Sequence, residues 1–187
     1  FKKLIGYIPD CQHLHLKDLF LKRVIWYRNY QFRSVKKHCE KVISTSEAVK
    51  KDLLNHYSFS ENQIITLGFN PIRFENKDNF SKRLDEDYFL IANQLWEHKN
   101  HEFAIKAFKK FLDKNKDSKT KLLCTGYIHD HRNSSHSTKL LNLINELDLN
   151  ESVLFLGYLQ RDEFLDYLVY AKAVVQPSIF EGTPGGL

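Results

Sequence analysis

Apolar and polar positions follow two alternating periods along the chain. Short apolar runs of strand length fall at 2–8, 41–45 and 62–67. Between them, 16–38 and 47–57 read as helices, the first with Leu21, Val24, Ile25, Phe32 and Val35 roughly at helical spacing. Ser46 precedes the second as an N-cap, with Glu47 in the first turn where a carboxylate suits the helix dipole. This β-α-β-α-β order predicts a parallel sheet with crossover helices. The polar, aperiodic stretch "NPIRFENKDNFSKRLDED" then reads as a linker.

A second alternation follows, with strands at 88–94, 120–126, 152–159 and 173–178 and helices at 101–115, 137–149 and 161–171. Asn100 is placed to cap the first of these helices, where Phe103, Ala104, Ala107, Phe108, Phe111 and Leu112 make one apolar stripe. Phe164, Leu165, Leu168 and Val169 should turn inward from the last helix. The expected organisation is therefore α/β, with parallel sheets in two units at 1–74 and 88–187 and a linker at 75–87.

Ligands of open parallel sheets sit beyond the carboxyl ends of the strands. Four loops should therefore share one edge: "NQLWEHKNH", "GYIHDHRNS", "GYLQ" and "PSIFEGTPGGL". Lys99 lies in the first, beside a helix N-terminus that favours anions, so it is either a phosphate ligand or an ordinary loop lysine. Glu181 ends an apolar strand and precedes glycines that let backbone approach a ligand. It is either an acceptor for sugar hydroxyls or a solvent-facing acid in a turn. On a strand, His13 and His15 would face one side, but no companion ligand set or HExxH helix accompanies them, and no metal is expected.

Composition narrows the classes. With 42% hydrophobic and 27% charged residues the chain is of globular type, and no apolar run approaches the roughly 20 residues of a membrane span. The start lacks the pattern of a signal peptide, and because the chain holds no Met its first residue is not expected to be the natural start. Three widely spaced cysteines fit a reducing, cytoplasmic setting better than a disulfide framework. The net charge of +5 is uneven: residues 1–57 carry 12 basic against 5 acidic side chains, the remainder 16 against 18. The basic part is either a solvated helix face or a surface for an anionic partner such as a membrane. Nucleic acid is not expected, since no DNA-reading helix pair or glycine-aromatic motif organises the charge. Walker, GxGxxG and GxSxG motifs are absent from the sequence.

Taken in order, "KVISTSEAVKKDL", "NQLWEHKNHEFAIKAFKKF" and "VLFLGYLQRDEFLDYLVYAKAVVQPSIFEGTPGGL" resemble the retaining GT-B glycosyltransferases of the family 4 type (glycosyl transferases group 1). The resemblance runs through nearly the whole chain, and "QPSIFEG" is its most specific piece. It implies parts of two Rossmann-like domains, truncated at both ends: the acceptor-side domain at 1–74 and the donor-binding domain at 88–187. It implies that Lys99 neutralises the donor diphosphate and that Glu181 contacts the donor sugar. Gly182, Thr183, Gly185 and Gly186 would bring backbone to the sugar and diphosphate, while Gly126, Gly157, Tyr158 and Leu159 would surround the base. The family's arginine is Gln94 here, which brings no charge. The second glutamate of the motif would fall two positions beyond Leu187. On the acceptor side Asp10 matches the family's Asp, Pro9 stands where its His would be, and His13 is a spatial substitute.

The implied activity is transfer of a sugar from a nucleotide-diphosphate sugar to an acceptor hydroxyl with retention, in cell-envelope or polysaccharide synthesis. It would need no cofactor or metal. The implied partners are the donor, a glycan or lipid-linked acceptor, and an anionic membrane surface touched peripherally; the chain on its own would be inactive. A sugar-nucleotide epimerase of the same fold and a non-catalytic nucleotide-sugar-binding module are the competing readings.

Overall fold

A computed structural model describes residues 4–68, 79–130 and 133–182. The chain divides into two compact units, Phe1–Ile72 with Phe180–Leu187, and Arg73–Ile179.

In the first unit, β1 (Ile5–Ile8), β2 (Lys41–Ser44) and β3 (Ile64–Thr66) form a parallel sheet in that order. Two helices cross over between them, α2 (Lys22–His38) and α3 (Glu47–Tyr57). Their contacts close a core of Ile8, Phe32, Val42, Val49, Leu53, Tyr57 and Ile64. Gly6 permits the close approach of α2, since a Cβ there would sit 2.5 Å from Val35 Cγ1. Ser46 caps α3 as its sequence predicts, its side chain accepting from Val49 N, an interaction worth about 1 kcal/mol.

The single helix expected at 16–38 is broken. Lys17–Leu19 form one 3-10 turn, Phe20 and Leu21 are extended, and α2 starts at Lys22. Before it comes a one-turn helix, α1 (Gln12–His15), so the strand geometry that would have put His13 and His15 on one side does not apply. Residues two apart on a helix point about 200° apart, so the two histidines part company. His13 is fully buried and His15 is exposed.

The second unit holds β4 (Tyr88–Ala92), β5 (Lys121–Thr125), β6 (Val153–Gly157) and β7 (Ala173–Val174), all parallel, in the order β6-β5-β4-β7. Its strands are apolar on both faces because both are covered. Ile91, Leu122 and Cys124 face α4 (His101–Lys114) and α5 (His136–Glu146), while Tyr88, Leu90 and Leu123 face α6 (Arg161–Tyr170). On α4 the buried positions are His101, Ala104, Ile105 and Phe108, while Phe103 and Ala107, both expected in the stripe, are exposed. Phe164 and Leu168 of α6 pack on the sheet as expected.

Of the linker expected at 75–87, residues 75–78 lie outside the described residues. The part from 79 onward is held on the second unit rather than spanning free. Asp166 of α6 accepts from Ser81 N at 2.8 Å and from Arg83 Nε at 2.7 Å, Tyr170 Oη donates to the Phe80 carbonyl, and Leu84 packs beside Tyr88. These bonds favour the charged carboxylate and hold its pKa below the usual range, the Ser81 amide first and the Arg83 bond next. Asp166→Ala should therefore speed tryptic cleavage after Lys82 and Arg83, read by mass spectrometry over time. Unchanged cleavage would show that Asp166 does not hold this segment.

Candidate functional site at the carboxyl ends of the strands

The carboxyl ends of β4, β5 and β6 open into a cleft of about 240 Å³ lined by Ala92, Asn93, Gln94, Thr125, Gly126, Tyr127, Tyr158, Leu159 and Phe164. Four of the residues singled out from sequence meet here: Gln94, Gly126, Tyr158 and Leu159. Gly157 adjoins them, its carbonyl accepting from Gly126 N at 2.7 Å. Gly126 has φ +112°, and a Cβ on it would lie 2.7 Å from Asn93 O and 2.8 Å from Gln94 N. Only glycine lets the β5 end pass so close to the β4 end. Tyr127 and Tyr158, both more than half exposed, stack with ring centroids 5.0 Å apart and planes at 21°. Sequence reasoning took Tyr158 but passed over Tyr127, Asn93, Thr125 and Phe164. The signal for Tyr127 was the repeated Gly-Tyr after two successive strands, at 126–127 and 157–158.

Lys99 is not part of that lining. It closes a 3-10 turn, Glu97–Lys99, immediately before α4, and is partly buried. The turn is fixed from two sides. Asp130 accepts from Glu97 N at 3.0 Å, and Asn133 Nδ2 donates to Glu97 Oε2 at 3.0 Å. From the segment after β7, Ile179 N donates to His98 O at 2.9 Å, and Asn100 Nδ2 donates to Pro177 O at 3.2 Å. Gln176 accepts from Asn93 Nδ2 at 2.8 Å. Asn100 thus departs from its expected role. It lies in the left-handed region (φ 58°) at the start of α4, and its side chain makes no cap bond. An asparagine tolerates that conformation better than most residues, and here it serves the loop rather than the helix.

Histidines fill the base of this turn. His98 and His101 are buried, and neither ring nitrogen of His101 has a hydrogen-bond partner among the described residues. Burial lowers His101 from 6.5 to about 4, helped by the positive potential of His136, Lys99 and His98. The ring is neutral at pH 7, a polar group held in the core by burial rather than by a bond to any described residue. Among the described residues no group of three or more His, Cys, Asp or Glu could share a metal ion.

Glu181 lies in the first unit, whereas the sequence reading ran the donor domain unbroken from 88 to 187. It is bracketed by two contacts. Phe180 stacks on His15, with centroids 4.5 Å apart and planes at 18°. Gly182 lies against the loop after β1, where a Cβ would come within 2.5 Å of Pro9 O and 2.7 Å of Asp10 Cβ, and its carbonyl accepts from Ser46 Oγ. Thr183, Gly185 and Gly186 lie outside the described residues.

The two acceptor-side candidates are engaged within the unit. Asp10 Oδ1 accepts from Arg28 Nη2 at 2.6 Å and from Gln12 N at 2.9 Å, which starts α1. His13 Nε2 bonds Tyr57 Oη at 2.8 Å, and its ring packs edge-on against Phe32. Burial, then Arg28, holds His13 below the usual histidine range. The structure thus gives His13 a place in the core and leaves His15 as the histidine on the surface.

Solved structures similar to this chain share its architecture. Anabaena Alr3699/HepE in complex with UDP and glucose matches 95% of the chain and 46% of its own length, with a TM-score of 0.71 at 15% identity. Sucrose-phosphate synthase from Thermosynechococcus elongatus matches 97% and 46%, with a TM-score of 0.70 at 17% identity. The fold is the GT-B type of α/β architecture, as expected from sequence. Residues 72–185 match the model of glycosyl transferases group 1, and the chain belongs to that family. Among curated relatives, the O-antigen chain mannosyltransferase RfbU of Salmonella typhimurium is 27% identical over 94% of this chain and 45% of its own length. A Campylobacter jejuni N-acetylgalactosaminyltransferase acting on a diphospho-undecaprenol-linked sugar is 28% identical over 75% of the chain and 36% of its own length. The chain thus spans less than half the length of these relatives.

The neutral state of His101 has a pH signature. Below 6.5 the unfolded chain binds a proton that the folded chain refuses until about 4, so stability falls as pH drops through that window. Thermal unfolding between pH 7 and 4 should show this loss, and His101→Leu should flatten it in part, His13 contributing with the same sign. Parallel pH dependences in the two proteins would overturn the assignment.

Proposed function

We propose that the full-length protein is a retaining glycosyltransferase. It moves a sugar from a nucleotide-diphosphate sugar to an acceptor hydroxyl, in the synthesis of a cell-envelope polysaccharide. The observation that carries this reading is the cleft at the strand ends, which gathers Gln94, Gly126, Tyr158 and Leu159 in a member of this family. A stacked tyrosine pair beside glycine-opened backbone suits the flat face of a base. The named activities of the Salmonella and Campylobacter relatives support a glycan or lipid-linked acceptor.

By the family's pattern, Lys99 supplies positive charge to the diphosphate as negative charge grows on the leaving group. Gln94 contributes a hydrogen bond but no charge. Glu181 accepts from hydroxyls of the donor sugar, and Gly182, Thr183, Gly185 and Gly186 bring backbone to the sugar and diphosphate. Charge compensation by Lys99 and backbone amides needs no metal or cofactor. Lys99→Ala should reduce transfer at least about tenfold, the scale of one lost charge-assisted bond to phosphate. Full activity in that variant would overturn the reading, and NMR of the product's anomeric carbon tests retention.

We further propose that the protein works in the cytoplasm and meets an anionic membrane surface through α2. Among the described residues no helix is long and apolar enough to cross a membrane. Over its 17 residues α2 has no acidic side chain, and Lys22, Arg23, Trp26, Tyr27, Tyr30, Arg33 and Lys37 are all exposed. Aromatic rings beside Lys and Arg suit the headgroup layer. Co-sedimentation should rise with the phosphatidylglycerol content of vesicles, weaken in high salt, and drop for Arg23→Glu/Lys37→Glu. Binding indifferent to lipid charge would refute it.

A further inference from the structure

One surface histidine of the first unit, His15, is held at both its edge and its face. His15 ends α1, and its side chain is 40% exposed. Its Nε2 lies 2.8 Å from Asp52 Oδ2 on α3, whose side chain is only 11% exposed. A carboxylate can only accept, so the facing Nε2 carries a hydrogen, and in the neutral ring Nδ1 carries the lone pair. The ring's face is held as well, by the parallel stack on Phe180. Edge and face are thus both fixed, which leaves the ring one orientation and Nδ1 one direction.

The segment that bears Glu181 passes through the same patch and is also fastened independently of His15. Phe180 is the residue before Glu181, and Gly182, the residue after it, is bonded by Ser46 and lies against Pro9 and Asp10. An aromatic ring and an imidazole edge therefore share one patch of the first unit, and the chain runs from that patch directly into Glu181. A ring and a hydrogen-bonding edge match the two surfaces of a sugar, its C–H face and its hydroxyl edge.

We propose that His15, oriented by Asp52 and Phe180, binds the acceptor: its Nδ1 receives the hydrogen bond of the acceptor hydroxyl that is to be glycosylated. This rests on the glycosyl-transfer reading. Asp52 is a positioning residue that acts through His15. His13, two residues away, takes no part because its ring is in the core.

Water competes with the acceptor for the donor sugar, and this separates acceptor binding from the rest of the reaction. The full-length enzyme would be assayed with UDP- and GDP-hexoses as donors, following both transfer to octyl glycosides and hydrolysis to free sugar. His15→Ala should lower transfer at least about tenfold, mainly through a higher acceptor KM, with donor hydrolysis within about twofold of the parent. His15→Asn, whose amide reaches close to the position of Nδ1, should recover part of the transfer. Asp52→Asn should weaken transfer without changing hydrolysis. Transfer at the parental level in His15→Ala, or hydrolysis falling in step with transfer, would overturn the assignment. A parent enzyme with neither activity would overturn the transferase reading itself, and this assignment with it.

Discussion

Parallel pairing is the constraint on which both units depend. A parallel strand cannot follow its neighbour through a tight turn, so each must return by a crossover. Every crossover starts at the same edge of the sheet, and the loops "NQL", "TGY" and "GYL" meet there whatever their sequences. Gly126 turns that shared edge into a recess. With no Cβ, it passes under Asn93 and Gln94 at a distance no other residue could keep, while its amide bonds Gly157. Cleft, tyrosine stack and strand ends follow from that one close approach.

Much of the fold was legible because its strongest signals are local. Buried parallel strands read as apolar runs, and the period changes cleanly to that of helices. Ser46 is a cap by chemistry alone. What failed to show was set by distant partners. Leu16 to Leu21 carry enough apolar residues to extend a helix pattern, yet the chain is extended at Phe20 and Leu21 before α2 begins. Residues 79–87 look like linker because their polar groups give no period, and it takes Asp166 and Tyr170, some eighty residues later, to reveal that they are bound. The spacing of His13 and His15 carried no hint that a one-turn helix would send one ring inward and keep the other at the surface.

The site was legible in the same uneven way. Gln94, Gly126, Tyr158 and Leu159 were placed together because strand ends converge by topology. Lys99 was located in its loop, but its surroundings were not foreseen. It sits in the chain between two buried histidines, His98 and His101, the second held neutral by burial and by neighbouring positive charge. Glu181 was recognised from its neighbours in sequence, whereas its fastening to the loop after β1 came from Phe180 and Gly182.

The stacked tyrosines carry a consequence for how such a protein diversifies. The backbone beneath Gly126 has no slack, so its path is frozen against substitution. Tyr127 and Tyr158 stand above it with more than half their surfaces in solvent and pack against each other. Exchanging either alters the mouth of the recess in width and polarity while leaving the chain beneath undisturbed. Frame and selectivity are thereby carried by different atoms, and the second can change while geometry holds the first in place.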